Sequence, residues 1–181
     1  MLIIKIPETE LYDEETNRFS IVSAQELRLE HSLLSISKWE SKWHKPYLDT
    51  TTYEKTNEMN LDYIKCMTIT QNVPDVVYSC LTQENINEIA KYIADPMTAT
   101  WFSEEASHAN SEVVTSELIY YWMTATGVPF SCEKWHINRL LTLIKICSIK
   151  NGKPKKMSQR EVAARYKAIN AARRAKLGSK G

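Results

Sequence analysis

The first thirty residues carry their apolar side chains in short runs that are typical of β-strands. The run Leu2–Ile6 is apolar and rich in β-branched residues, and Pro7 ends it because proline has no backbone N–H to donate. Residues 27–31 alternate apolar and charged side chains, the pattern of a strand with one buried face. A third run, at residues 19–22, follows a polar turn candidate at residues 13–17. We therefore predict a small antiparallel meander, which must pack on helices because so small a sheet is not stable alone.

Beyond residue 34, apolar side chains recur every three or four positions, as they do in amphipathic helices. In the clearest case, Ile36, Trp39 and Trp43 fall on one face, and Thr82 is well placed to cap a later helix. The predicted fold class is mainly α with a small amino-terminal antiparallel β element (α+β), with about six helices. The predicted helices cover residues 35–45, 60–71, 83–94, 110–126, 131–149 and 158–177.

The segment of residues 131–149 has the widest apolar arc of the chain, which includes Trp135, Leu140 and Ile144. A helix that is apolar over most of its circumference is usually buried on most sides. We therefore predict that this helix is the central and most buried one. Gly127 stands just before it, where a preceding helix can end in the left-handed conformation that glycine adopts without strain.

The sequence Asn151-Gly152-Lys153-Pro154 is the clearest break in the chain. It divides a predicted globular body of residues 1–150, with strands in 1–31 and helices in 35–150, from a helical arm of residues 151–181.

The net charge of the whole chain is +1, but residues 150–181 contain eleven basic residues and one acidic residue, a net +10. The remaining residues contain twelve basic and twenty-one acidic residues, a net −9. We predict that this basic arm docks on an acidic surface, of its own body or of a neighbouring copy, rather than on nucleic acid. Its candidate contact residues are Lys153, Lys155, Lys156, Arg160, Arg165, Lys167, Arg173, Arg174 and Lys176.

Cysteine usage and hydropathy indicate a protein of a reducing compartment. The four cysteines, Cys66, Cys80, Cys132 and Cys147, form no CxxC pair and lie in apolar stretches, so we predict that they are reduced and structural. No apolar run approaches the length of roughly 18 residues that spans a bilayer, and the amino terminus lacks the pattern of a signal peptide. We expect a soluble intracellular protein.

The chain carries no recognisable catalytic motif. It contains neither GxGxxG, GxxxxGK[ST], HExxH nor GxSxG. His136 could pair with Glu133 or Glu117 as an acid–base device, but the simpler interpretation, which we favour, is a packed histidine with one hydrogen-bonded nitrogen. We therefore predict a protein that is not an enzyme and that has neither a cofactor nor a metal site.

Aromatic residues are the clearest candidates for contact with another protein. Aromatic side chains both fill cores and anchor interfaces, so the two interpretations stay open for each of them. The consecutive residues Tyr120, Tyr121 and Trp122 cannot all point to one side of a helix, and at least one of them must face outward. The candidate partner-binding residues are Trp39, Trp43, Tyr120 and Tyr121, because their helices carry more aromatic surface than one core face can bury.

Three stretches carry a resemblance to known proteins. They are SLLSISKWESKW at residues 32–43, SELIYYWM at 116–123 and KWHINRLLT at 134–142, and a basic ending that begins with KKMS at 155–158 follows them. Together they resemble small morphogenesis proteins of long-tailed bacteriophages, and among these most of all the tail assembly chaperones. The resemblance extends over most of the chain.

The resemblance implies a non-enzymatic role in virion morphogenesis. Tail assembly chaperones coat the long hydrophobic tape-measure protein in the host cytoplasm, keep it soluble, help to bring tail-tube protein to it, and are absent from the finished particle. The implied partners are therefore the tape-measure and tail-tube proteins of the same phage and further copies of the chain, with no membrane. The alternatives are a structural virion component, such as a tail or head-completion protein, and a nucleic-acid-binding module that acts through the basic arm.

Overall fold

The computed structural model describes residues 1–13, 18–100, 102, 112–152 and 159–177. Within these residues, four short strands are followed by seven α-helices and one 3₁₀ helix, so the predicted fold class is confirmed. The strands are β1 (Leu2–Ile6), β2 (Thr9–Asp13), β3 (Arg18–Val22) and β4 (Gln25–Leu29). The helices are α1 (Leu33–Trp43), α2 (Asn57–Met67), α3 (Asp75–Ser79), α4 (Gln83–Ala94), α5 (Ser116–Thr126), the 3₁₀ helix (Phe130–Lys134), α6 (Ile137–Asn151) and α7 (Gln159–Leu177).

The strands pair in a nested order, which differs from the predicted meander. β1 pairs with β4 and β2 pairs with β3, and both ladders are antiparallel. The second ladder continues the register of the first without a shift: Leu2 pairs with Leu29 at one end, and Asp13 pairs with Arg18 at the other. The chain thus forms a two-stranded ribbon that is interrupted at Pro7, which lacks the N–H that a ladder needs. The meander prediction is wrong because alternation along a strand shows its two faces but not its neighbour.

One face of the β1–β4 ladder belongs to the hydrophobic core. Ile4 and Leu27 face each other across the ladder, and both are fully buried. β4 is also joined to the end of α2, since the Ile69 backbone N–H donates to the Arg28 carbonyl oxygen at 2.7 Å. Burial and backbone pairing together fasten the β element to the helices, as the small size of the sheet requires.

α1 is the central helix of the body. The Ser32 hydroxyl caps its N terminus by accepting a hydrogen bond from the Ser35 backbone N–H. Leu33, Ile36 and Trp39 are each 0% exposed. α1 packs against α2, α5 and the 3₁₀ helix, so its buried face reaches three neighbours.

The predicted central helix of residues 131–149 is divided into the 3₁₀ helix and α6. At the break, the Ile137 backbone N–H donates to the His31 carbonyl oxygen at 2.7 Å, and Ser32 and His136 form an isolated bridge. This pairing holds the chain extended just before α6. α6 buries three of its 15 residues, whereas α1 and α2 each bury five of 11. The prediction of one continuous, most buried helix is therefore wrong, because periodicity does not show backbone pairing with a distant segment.

Helix ends follow local capping signals where the structure describes them. Thr82 caps α4, and Gly127 ends α5 in the left-handed conformation with φ of 73°, both as predicted. α5 begins later than predicted, because Thr115 caps it. Residues 110 and 111, at which the predicted helix of residues 110–126 begins, lie outside the described residues.

Glu40 is a buried carboxylate that joins three segments of the chain. From α1, its Oε1 accepts a hydrogen bond from the Tyr47 backbone N–H at 2.8 Å. Its Oε2 accepts one from the Ser116 backbone N–H at 2.7 Å. Since Ser116 begins α5, the carboxylate also lies at the positive end of that helix dipole.

We expect Glu40→Ala to lower the free energy of unfolding by about 2–4 kcal/mol, because two buried N–H groups lose their acceptor. Urea denaturation followed by circular dichroism measures this loss. Glu88→Ala is the matched control, since Glu88 is exposed in α4 and its removal should change stability by less than about 0.5 kcal/mol. Equal stabilities of the two variants would contradict the structural role of Glu40.

The chain divides into two compact units, Met1–Ile149 and Lys150–Gly181. The first unit contains the β ribbon and the hydrophobic core cluster. The second contains α7, a helix of 19 residues.

Candidate partner-binding surface

The three consecutive aromatic residues of α5 point in different directions. Tyr121 is 65% exposed, whereas Tyr120 and Trp122 are half-buried. Successive side chains on an α-helix are about 100° apart, so three in a row cannot share one face. The prediction that at least one of them faces outward is confirmed at Tyr121.

An apolar groove runs between α5 and α6. It has a volume of about 460 Å³ and is open to solvent. Trp122 and Ala125 form its wall on α5, and Leu141, Ile144 and Ile149 form its wall on α6. The polar residues that line it are Thr126, Lys145 and Ser148.

Tyr121 does not line the groove itself but lies one helical turn before its α5 wall. It lies four residues before Ala125, and residues four apart on a helix are neighbours on the same side. Ile149, at the end of the opposite wall, is 60% exposed. A groove between two helices with exposed apolar side chains at its edges fits the apolar face of an amphipathic helix.

Tyr120 faces the 3₁₀ helix rather than the groove. Its hydroxyl donates to Glu133 Oε2 at 2.9 Å, and its ring lies 6.0 Å from the ring of Phe130. Burial, together with the Glu133 carboxylate, raises the pKa of Tyr120 to about 12, so the hydroxyl keeps its proton as a donor. Tyr120 therefore holds the segment before α6 in place. The neighbouring Phe130 is 56% exposed.

Trp39 and Trp43 connect α1 to α2. Trp39 is 0% exposed, and its Nε1 donates to the Met59 carbonyl oxygen at 3.0 Å. Trp43 is half-buried, stacks on Trp39 with ring centroids 6.1 Å apart, and donates from Nε1 to Asp62 Oδ2 at 2.8 Å. The selection of Trp39 as a partner contact is corrected, because its side chain has no exposed surface to offer.

Two buried histidines pack against each other in the core. The His136 Nε2–H donates to the Tyr92 carbonyl oxygen at 3.0 Å, and the rings of His136 and His31 lie 5.1 Å apart. Glu133, one of the two acids considered as a partner of His136, accepts from Tyr120 instead. His136 is thus the packed histidine of the simpler interpretation.

The four cysteines are free: Cys132 is buried, and Cys66, Cys80 and Cys147 are half-buried. Burial raises the pKa of the Cys66 thiol, which disfavours the reactive thiolate. In the part of the chain that the structure describes, no three His, Cys, Asp or Glu side chains are grouped to hold a metal ion. Within the same residues, no helix combines the length and the apolar character that crossing a bilayer requires.

α7 carries the part of the basic arm that is described. Its side chains from residue 163 to residue 174 are all exposed, and two of them are large and apolar. Tyr166 is 64% exposed and Ile169 is 39% exposed. The exposed basic candidates are Arg165, Lys167, Arg173, Arg174 and Lys176. The candidates Lys153, Lys155 and Lys156 lie outside the described residues, as do residue 158, at which the predicted helix begins, and the side chain of Arg160.

The α6 wall of the groove was not among the predicted site residues. The feature of the sequence that points to this wall is the wide apolar arc of residues 131–149, which was interpreted as a sign of deep burial instead of an exposed apolar surface. An apolar arc that is wider than the face packed on the core leaves the remainder exposed. At the groove this remainder comprises Leu141, which is half-buried, and Ile149, which is exposed.

Comparison with known proteins adds no further candidate residues to this surface. No protein-family model matches the chain, and no curated protein or solved structure is significantly similar to it.

Proposed function

We propose that the protein is a non-enzymatic morphogenesis factor of a long-tailed bacteriophage. It acts as a tail assembly chaperone that binds the tape-measure protein in the host cytoplasm and aids assembly of the tail tube. The observation that carries the proposal is the open apolar groove between α5 and α6 with the exposed Tyr121 beside it. The resemblance of residues 32–43, 116–123 and 134–142 to this group of phage proteins supplies the identity of the client.

The shape and chemistry of the groove suit a long helical client. The stretch of α6 from Leu141 to Ser148 is about 10 Å long at 1.5 Å per residue, which matches about two turns of a bound helix. Such a short contact holds a client weakly at each copy. Many copies along one client then give strong binding overall, because each further contact on a bound chain forms at high effective concentration.

We expect Tyr121→Ala and Ile149→Ala each to weaken binding of the tape-measure protein by about 1–2 kcal/mol, or roughly 5- to 30-fold in affinity. Both side chains are exposed, so the thermal unfolding of the two variants should match that of the wild type. Co-expression with the tape-measure protein, followed by pull-down and a solubility assay, measures the effect. A titration with a purified client segment gives the affinity.

Ile69→Ala is the matched control, because Ile69 is 53% exposed and does not line the groove. Groove variants that bind the client as well as this control does would refute the groove as the client site. Detection of the protein by mass spectrometry in purified particles would favour a virion component instead. A DNA shift that weakens steeply with salt would favour the nucleic-acid alternative.

A further inference from the structure

We propose that α7 of one copy docks on the exposed face of the β2–β3 hairpin of a second copy. The inference rests on the proposed function, since it describes how copies join along one client. It uses two surfaces that are separate from the α5–α6 groove.

The outer face of the β2–β3 hairpin is apolar and exposed. Phe19 is 72% exposed, Ile21 is 64% exposed and Tyr12 is 51% exposed. Tyr12 and Phe19 are directly opposite in the ladder with ring centroids 5.1 Å apart, and Ile21 is the next residue of β3 on the same face. The other face packs on the core through Leu11 and Val22. The hairpin thus has two apolar faces and buries one of them.

α7 presents two exposed, largely apolar side chains that could cover this hairpin face. Tyr166 and Ile169 are three positions apart, so they share one side of the helix. Both are exposed, at 64% and 39%. A helix of this kind gains most of its stability when its apolar side is packed against another element, and the hairpin face offers such a partner.

The charges of the two surfaces are opposite in sign. Residues 8–22, which comprise the hairpin and the residue before it, contain five acidic residues and one basic residue, a net −4, whereas residues 150–181 carry +10. Glu10 is exposed and directly opposite Ile21 in the ladder, so negative charge lies beside the apolar patch. The α5–α6 groove suits α7 less well, because the charged residue that lines it, Lys145, is basic. Opposite charges fix the orientation of such a contact and speed its formation, while the apolar groups contribute affinity.

The proposed contact joins two different surfaces, a helix on one copy and a hairpin on the next. After it forms, the pair still has one unused helix and one unused hairpin face. A contact of this type adds copies without a fixed limit and gives an open array unless a ring closes. An open array is the arrangement that covers a client of any length.

The test is self-association of the purified full-length protein without client, measured by sedimentation velocity at low salt, where charge pairs are least screened. The hairpin variant carries Phe19→Ser and Ile21→Ser, and the helix variant carries Tyr166→Ser and Ile169→Ser. The wild type should form species that grow with concentration. Each variant alone should associate about tenfold more weakly or worse, with an unchanged circular dichroism spectrum. An equimolar mixture of the two variants should form 1:1 dimers and nothing larger, because one intact helix and one intact hairpin face remain for a single contact.

A mixture that stays monomeric would overturn the proposal. So would a helix variant that assembles like the wild type, since this outcome means that hairpins pack on each other. A wild type that is monomeric at every concentration would show that α7 docks within its own chain or on another molecule such as DNA. Tyr121→Ala should assemble like the wild type while it binds the client more weakly, so the groove and the array can fail independently.

Discussion

Replacement of Trp39 by alanine is expected to lower the free energy of unfolding by about 3–5 kcal/mol. The indole is fully buried, lies 5.2 Å from the ring of Tyr47, and donates its Nε1–H to the Met59 carbonyl oxygen. The truncation leaves a cavity at the contact between α1 and α2 and removes this hydrogen bond. Since a domain is stable by only about 5–15 kcal/mol, the variant should lose a large part of its stability.

Urea denaturation of the purified variant measures this loss. Tyr121→Ala is the control, because it truncates an aromatic side chain that is 65% exposed and should change stability by less than about 0.5 kcal/mol. A Trp39→Ala protein that keeps wild-type stability but binds the client weakly would place Trp39 at an interface instead of in the core.

Acid is expected to destabilise the protein through His31. The imidazole is 2% exposed, its Nδ1 and the Tyr63 hydroxyl share a hydrogen bond of 2.5 Å, and the ring packs against His136. Burial, with a smaller contribution from the charge of His136, lowers the pKa of His31 from 6.5 to about 3. Between these two values the unfolded chain binds a proton that the folded chain does not. Stability therefore falls as pH falls through this window, by up to about 1.4 kcal/mol per pH unit and about 5 kcal/mol in total.

The pH dependence of unfolding, measured with urea between pH 7 and pH 4, tests this expectation. His31→Asn removes the titrating ring, so its stability should fall less steeply with acid than that of the wild type. His44→Asn is the matched control: His44 is exposed and has a left-handed backbone with φ of 52°, which asparagine tolerates. This control should keep the wild-type slope. Equal slopes for all three proteins would show that His31 does not titrate differently in the folded and unfolded chains.

The secondary structure of the protein is largely readable from its sequence, because the signals are local. An apolar, β-branched run identifies β1, alternation identifies β4, and three- to four-residue spacing identifies the amphipathic helices. Thr82 and Gly127 mark helix ends because they satisfy backbone groups or adopt a conformation within the same turn. The contrast between an acidic body and a basic arm is likewise a property of composition alone.

The candidate surface was predicted in part. The sequence shows that one of the consecutive aromatics of α5 must face outward, but not which one, and the structure selects Tyr121. The sequence also shows a wide apolar arc on α6, but it does not show how much of that arc the core covers. Trp39 and Tyr121 are both aromatic residues of amphipathic helices, and only the neighbours that pack on each helix separate core from surface.

Sequence alone determined most of the elements and the charge of each part of this protein, since these depend on residues within a few positions of one another, but it did not predict the short elements β2 and α3. Tertiary structure alone decided the pairing of β1 with β4, the break before α6 and the burial of Glu40. Each of these depends on a hydrogen bond between segments far apart in the chain, such as that from the Ser116 N–H to the Glu40 carboxylate. Local sequence patterns predict an exposed side chain for Glu40, the charged residue next to Trp39. It is buried here because two backbone N–H groups, one seven residues along the chain and one at the start of α5, need an acceptor.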